Sequence, residues 1–173
     1  QIAGHDEKDG AMIPDKQYSY AKPDKTPVIR KVTLPYADVY EPVLHILAYA
    51  EMMANLSRYD GIKFGYRAQS YRGVDSLYVN TRDALGIEEK FAAVMGAYVL
   101  SQENYERYYE KAMKIRGMIR DSLRFDEYDV VELPPGSPLA VLCGLPSLTF
   151  GGVELAAGVK NEGMLIAAWE ALQ

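Results

Sequence analysis

The run Asn55-Leu56-Ser57-Arg58-Tyr59-Asp60-Gly61 gathers the side chains of this chain best suited to polar chemistry. It closes an apolar, helix-like segment (Val39 to Ala54) and opens a Gly- and Tyr-rich loop. One guanidinium, Arg58, and one carboxylate, Asp60, stand there with the hydroxyls of Ser57 and Tyr59. Helix-to-loop junctions of this kind often carry function. The plain reading is structural. Arg58 would be a helix-end cation that pairs with Asp60 or caps free carbonyls, and Asp60-Gly61 would be an ordinary turn.

Other reactive residue types are sparse. His5 sits in a polar stretch and His45 in an apolar helix, and with Cys143 they make no metal-ligand spacing, so no metal and no cofactor are expected. His45 reads as a core histidine and Cys143, in an apolar run, as a small buried hydrophobe. None of Ser57, Ser70, Ser101, Ser137 and Ser147 lies in a Gly-x-Ser-x-Gly elbow or a Ser-x-x-Lys motif, so no catalytic residue is assigned. Gly151-Gly152 lacks the strand–loop–helix setting of a phosphate loop. Lys111, Lys114, Arg116, Arg120 and Arg124 alternate with Glu103, Glu106, Glu110 and Asp121, the pattern of a solvated helix face rather than an RNA surface.

The 173 residues suffice for one domain with a sizeable core, and 49% of them are hydrophobic. A net charge of −5 argues against a general nucleic-acid surface. A single cysteine fits a reducing compartment. No apolar run reaches the roughly 18 residues that span a bilayer, and Gln1 to His5 shows no signal-peptide pattern. The chain reads as cytoplasmic, with no membrane partner.

The elements that must position these residues follow from periodicity. Residues 4–27, with Pro14, Pro23 and Pro27, read as an extended arm ahead of a single α/β domain over 28–173. Val28 to Leu34 alternates as a strand. Asp38 and Glu41 form a capping-box pattern for a helix through Ala54 that should be buried on most sides. Gly61 to Tyr78 reads as loop and Thr81 to Gly86 as a turn. A helix from Ile87 to Leu100 would carry Phe91, Val94, Met95 and Tyr98 on one face. Ser101 would cap a second helix to Arg124, with Tyr105, Tyr108, Ala112, Ile115, Ile119 and Leu123 inward. Tyr128 to Leu133 is a strand ended by Pro134-Pro135-Gly136, and Pro138 to Cys143 a short helix. Ser147 to Phe150 and Val153 to Val159 form a hairpin around Gly151-Gly152. Glu162 to Leu172 is a final helix with Leu165, Ile166, Trp169 and Leu172 inward. The order predicts an α/β (α+β-like) fold, a mixed sheet of about three to five strands covered by helices.

Several stretches resemble one family. Asn55 to Gly61 followed by Phe64-Gly65-Tyr66-Arg67 is similar to a signature of the A subunit of glutamyl-tRNA(Gln) amidotransferases, within the amidase-signature family. Ala3-Gly4-His5-Asp6-Glu7-Lys8-Asp9 resembles the family's Ala-Gly-His-Asp-Pro-Lys-Asp, and Thr33-Leu34-Pro35 its Leu-Pro strand end. Met95 to Ser101, Tyr108 to Ala112 and Cys143 to Leu148 resemble its Gly-Thr-Tyr-Val-Leu-Ser, Tyr-Tyr-Lys-Ala and Ala-Gly-Leu-Pro-Ala-Ile. The resemblance is strongest over 39–133.

The resemblance implies that Arg58 holds the carboxylate of glutamine, with Ser57, Tyr59 and Asp60 as a supporting shell. A guanidinium does this through two parallel hydrogen bonds. Family members hydrolyse amides with a Lys-Ser-Ser triad in a Gly/Ser-rich signature, and these 173 residues hold no Gly-Gly-Ser-Ser-Gly-like run. Nor does the shortened segment after Pro134 offer an acidic residue for the substrate's amino group. The resemblance therefore implies a chain inactive alone: a scaffold, a binder of glutamine or a small amide, a pseudoenzyme, or one half of a split enzyme. The alternatives are an active amidotransferase or amidase completed by another polypeptide, and a tRNA-associated module. In the family this region supplies only part of a larger sheet, so a homo-oligomer or a partner subunit is expected.

Overall fold

In the computed structural model, residues 32–171 are described in full, and 16–19 and 28–30 by their backbone. The segment Ala3 to Asp9, His5 and Leu172 lie outside the described residues. The chain divides into two compact units, one of residues 1–44 and 115–173 and one of 45–114.

The first unit is built on a five-stranded sheet of β1 (Lys16–Ser19), β2 (Val28–Arg30), β3 (Val130–Leu133), β4 (Ser147–Phe150) and β5 (Val153–Ala157), in the order β2-β1-β3-β5-β4. The α/β class and strand number are as expected. Every pairing among the described residues is antiparallel, however, so these strands do not make the mixed sheet expected. Lys16–Ser19, inside the segment read as an arm, is a strand lying between β2 and β3. The strand expected to run to Leu34 stops at Arg30.

The central strands explain their own sequences. Val130, Leu155 and Ala157 pack with Leu165 and Ala168 of the last helix, α6 (Glu162–Ala171). Val131, Leu133 and Ala156, on the opposite sheet face, are also buried. Strands covered on both faces read as apolar runs, whereas β4 at the sheet edge alternates, turning Leu148 and Phe150 toward the core. Gly151 (φ 54°) and Gly152 (φ 84°) take the left-handed pair that a two-residue hairpin requires, and Phe150 faces Val153 across it. Glu154 is 8% exposed, and its carboxylate accepts the Gly136 N–H at 3.2 Å, so a buried acid is satisfied by the turn after Pro134-Pro135. On α6 the inner face is Leu165 and Ala168. Ile166 and Trp169, expected inside, are exposed.

The helix α1 (Tyr40–Leu56) is preceded by a 3-10 turn, Ala37–Val39. The cap of that turn is Tyr36 in the left-handed region, and Asp38, expected to cap the helix, lies within the turn. Burial is confined to one stripe, Tyr40, Val43, Leu47 and Ala50, and not most of the surface. The Tyr40 hydroxyl donates to the Pro35 carbonyl at 2.7 Å, and burial pushes its pKa well up. His45 is exposed and stacks on Tyr49, with ring centroids 5.5 Å apart; it is not a core histidine.

The second unit is helical. The stretch read as loop and turn contains α2 (Val74–Asp83), which buries only Leu77 and Thr81. Its start is marked by Ser76, whose hydroxyl accepts from Arg72 N–H at 2.8 Å and donates to the Gly73 carbonyl at 3.0 Å. Helix α3 (Ile87–Leu100) has the expected limits. It buries Ala92, Gly96 and Val99, while Phe91, Val94 and Tyr98 are exposed. The cause is close approach: a Cβ at Gly96 would overlap the Tyr49 carbonyl oxygen of α1 and lie 2.6 Å from Met53 Cβ. Ser101 does not cap the next helix. It ends α3, donating to the Tyr98 carbonyl at 2.7 Å and accepting from Asn104 Nδ2 at 2.9 Å. A π-helical turn, Tyr105–Glu110, then leads into α4 (Lys111–Ser122). In the first unit, the short α5 (Leu139–Cys143) ends at Gly144, in the left-handed conformation.

Two glycines in helices should respond oppositely to the same change. Gly96→Ala forces backbone apart and should cost about 1–3 kcal/mol. Gly117→Ala, with nothing within 4 Å of its added Cβ, should gain about 0.5–1 kcal/mol. Urea unfolding of the two variants beside the parent chain measures both.

Candidate functional site

The junction after α1 is the best-built polar feature of the second unit. A helix leaves its last four carbonyls without intrahelical partners. Here each finds one within four residues. Ser57 N–H donates to Met53 at 3.1 Å, and the Ser57 hydroxyl donates to Ala54 at 2.7 Å. Arg58 N–H donates to Asn55 and Tyr59 N–H to Leu56, both at 3.0 Å. The helix end is thus closed by backbone and one hydroxyl.

Asp60 closes the loop beyond. One of its carboxylate oxygens accepts Ile62 N–H at 2.8 Å and Lys63 N–H at 3.3 Å. The Ile62 hydrogen bond, ahead of the Lys63 one and the Lys63 charge, holds the Asp60 carboxyl below the usual carboxylate range. Gly61 (φ 74°) donates its N–H to the Phe64 carbonyl at 3.2 Å, and a Cβ there would lie 2.8 Å from Thr81 Oγ1. Buried Thr81 in turn accepts Ala68 N–H at 3.2 Å, pinning the loop to α2. Gly65 (φ 80°) leaves room for the Tyr59 ring, whose Cδ1 lies 2.9 Å from where a Cβ would be.

Both structural duties expected of Arg58 are therefore taken by other groups. Asp60 is engaged by backbone N–H groups, and the helix carbonyls are satisfied. Arg58 is exposed, and its guanidinium makes no ion pair or hydrogen bond among the described residues. Neighbouring arginines behave differently. Arg67 donates to the Tyr71 hydroxyl at 2.7 Å and lies over its ring, and Arg82 lies over the Tyr78 ring. A cavity of about 90 Å³ opens beside the loop, with Tyr59, Tyr66, Thr81 and Arg82 in its walls, and Arg58 does not line it. Of the residues singled out by sequence, the structure brings Ser57, Arg58, Tyr59 and Asp60 into one turn. It adds Thr81, Gly61 and Gly65 as supports. Thr81 carries no clear signal of its own, because the only local sign of α2 is the pair Leu77 and Thr81, four residues apart.

The remaining candidates are structural. Cys143 is buried at 4% exposure, and burial pushes its thiol up against the opposing charges of Arg116 and Arg120. Among the described residues, no three His, Cys, Asp or Glu side chains converge as a metal cluster. No helix of the described residues is long and apolar enough to cross a membrane.

The family model for amidases matches residues 24–153, and the chain belongs to the amidase family. Among individual relatives, the A subunit of the glutamyl-tRNA(Gln) amidotransferase of Lachnoclostridium phytofermentans is 38% identical over 116 residues, 65% of this chain and 23% of its own length. That of Fusobacterium nucleatum is 39% identical over 113 residues, and that of Coxiella burnetii 41% over 111, covering 64% and 62% of this chain. The chain spans about 23% of the length of these relatives.

The loop should report its own anchor. A depressed folded-state pKa at Asp60 means that its hydrogen bonds persist above the unfolded value and are lost only as pH falls through the lower folded value. The Ile62 and Lys63 amide resonances should therefore titrate together, with a midpoint below that of an unstructured aspartate. Asp60→Asn should abolish the transition. A midpoint at the unstructured value would show that the carboxylate does not hold the loop.

Proposed function

We propose that this chain is the carboxylate-holding portion of a glutamine-using amidase-family protein, with Arg58 gripping the α-carboxylate of glutamine or of a similar small amide. The observation that supports this is the unpartnered, exposed guanidinium on a turn whose neighbouring carbonyls and carboxylate are engaged. Ser57, Tyr59 and Asp60 act as positioning residues. They hold the backbone on either side of Arg58, so only the arginine side chain has to order when it binds.

The relatives are named as subunits of an amidotransferase that acts on glutamyl-tRNA(Gln). We carry over from that name work alongside a partner, and from the family resemblance glutamine as the ligand. In this reading the 173 residues bind and orient, and a Lys-Ser-Ser set from other amidase sequence breaks the amide bond. The chain alone is then a ligand-holding scaffold rather than a complete hydrolase.

Calorimetric titration with glutamine tests the reading. A charge-assisted bidentate pair contributes about 1.5–3 kcal/mol, so Arg58→Ala should weaken binding roughly ten- to a hundredfold. Arg58→Lys, which keeps the charge and loses the fork, should fall between. Equal affinity in all three proteins, or no binding by the parent chain, would remove Arg58 from this role. Amide hydrolysis by the purified chain at enzyme-like rates would overturn the division of labour.

A further inference from the structure

The cavity of about 90 Å³ beside the Asp60 loop takes its walls from residues 56–85, all within the second unit. Leu56, Ala84 and Leu85 supply apolar surface, and Thr81 and Arg82 border the same space. A threonine inside a helix commonly returns its hydroxyl proton to the carbonyl one turn earlier. Thr81 does not. At 6% exposure its oxygen accepts the Ala68 N–H at 3.2 Å, but its O–H donates to no acceptor among the described residues. A buried donor left open costs free energy until a ligand or water takes it. The Arg82 guanidinium is held only over the Tyr78 ring, 5.8 Å from its centre, and makes no ion pair or hydrogen bond among the described residues.

We propose that this cavity binds a carboxylate carried on a short aliphatic stem. The open groups select the charge. Thr81 and Arg82 both offer hydrogens without acceptors, and among the described residues no carboxylate side chain borders the cavity. Asp83, the nearest acid along the chain, is paired with Lys90 at 3.4 Å. One carboxylate oxygen takes the Thr81 proton, and the guanidinium fork takes the other. The walls select the stem, because Leu56, Ala84 and Leu85 give a few methylenes an apolar lining that a bare inorganic anion would leave unused. The volume limits the ligand to a few non-hydrogen atoms. A free short-chain acid and the side chain of a glutamate in a peptide present this same group. Thr81 also holds the Ala68 N–H and lies against Gly61, so occupancy is read at the loop amides. Arg58 does not line the cavity, which makes this site separate from the one proposed for glutamine.

Titration of the 173-residue chain with sodium propionate, followed by amide resonances against sodium chloride at matched ionic strength, tests the site. The Gly61, Ala68 and Thr81 amides should shift and saturate at millimolar propionate. Arg82→Gln should weaken the binding roughly tenfold. Arg72→Gln, which removes the same charge away from the cavity, should leave it unchanged. Ala84→Leu, which fills the space from an exposed position, should abolish it, as should Thr81→Val, while Thr81→Ser retains it. Circular dichroism verifies that each variant folds. A capped Ala-Glu-Ala peptide run in parallel separates the two sources of the group: shifts with propionate assign the site to a free acid, and shifts with the peptide alone assign it to a glutamate side chain. No saturable shift with either at about 100 mM leaves the cavity to water and overturns the proposal. So do shifts indifferent to both Arg82→Gln and Ala84→Leu. Arg58→Ala should leave the propionate shifts intact, and their loss in that variant would move the binding to Arg58 and overturn a separate site. Absence of propionate binding does not bear on glutamine binding at Arg58.

Discussion

The contact between Gly96 and the Tyr49 carbonyl governs the second unit. Only a residue without a Cβ lets α3 come this close to α1, and the small side chain of Ala92 continues the same contact line. Once that side of α3 is taken, Ile87, Phe91, Val94 and Tyr98 have nowhere to go but outward. The T-shaped contact of Tyr49 with Phe91, ring centroids 5.7 Å apart, marks the edge where the buried face gives way to the exposed one. One glycine thus creates both a tightly packed helix pair and an uncovered apolar stripe.

The same economy of partners shapes the end of α1. Four orphan carbonyls and one aspartate could have consumed an arginine. They are instead satisfied by Ser57, by backbone N–H groups and by the turn at Asp60. A cation near a helix C-terminus is favoured by the helix dipole, which lets Arg58 stay in place without an ion pair. The result is a charged group held by its backbone and free at its tip, available to a carboxylate once the side chain orders.

The sheet unit obeys a different constraint. Its inner strands are covered on both faces, so each polar group within them needs a partner. Glu154 has the Gly136 N–H, and beside the sheet the buried Tyr40 of α1 has the Pro35 carbonyl. These contacts tie turn to strand and helix to loop.

Much of this is legible in the residues alone. Helix limits at Ile87 and Leu100, the Gly151-Gly152 hairpin, the apolar strand before Pro134 and the polar turn at 57–60 follow from period, turn chemistry and capping, all local effects. Long-range packing settles what local pattern cannot express. Periodicity marks an apolar stripe on α3, but which stripe is buried depends on which neighbour can come closest, and Gly96 lets α1 approach the other side. His45 and the outer face of α1 are exposed because a helix with few charges still buries only the stripe another element reaches. Lys16–Ser19 becomes a strand because β2 and β3 offer it hydrogen bonds on both edges. By sequence Arg58 is a helix-end cation with two partners at hand, and only the complete set of hydrogen bonds around it shows both partners taken.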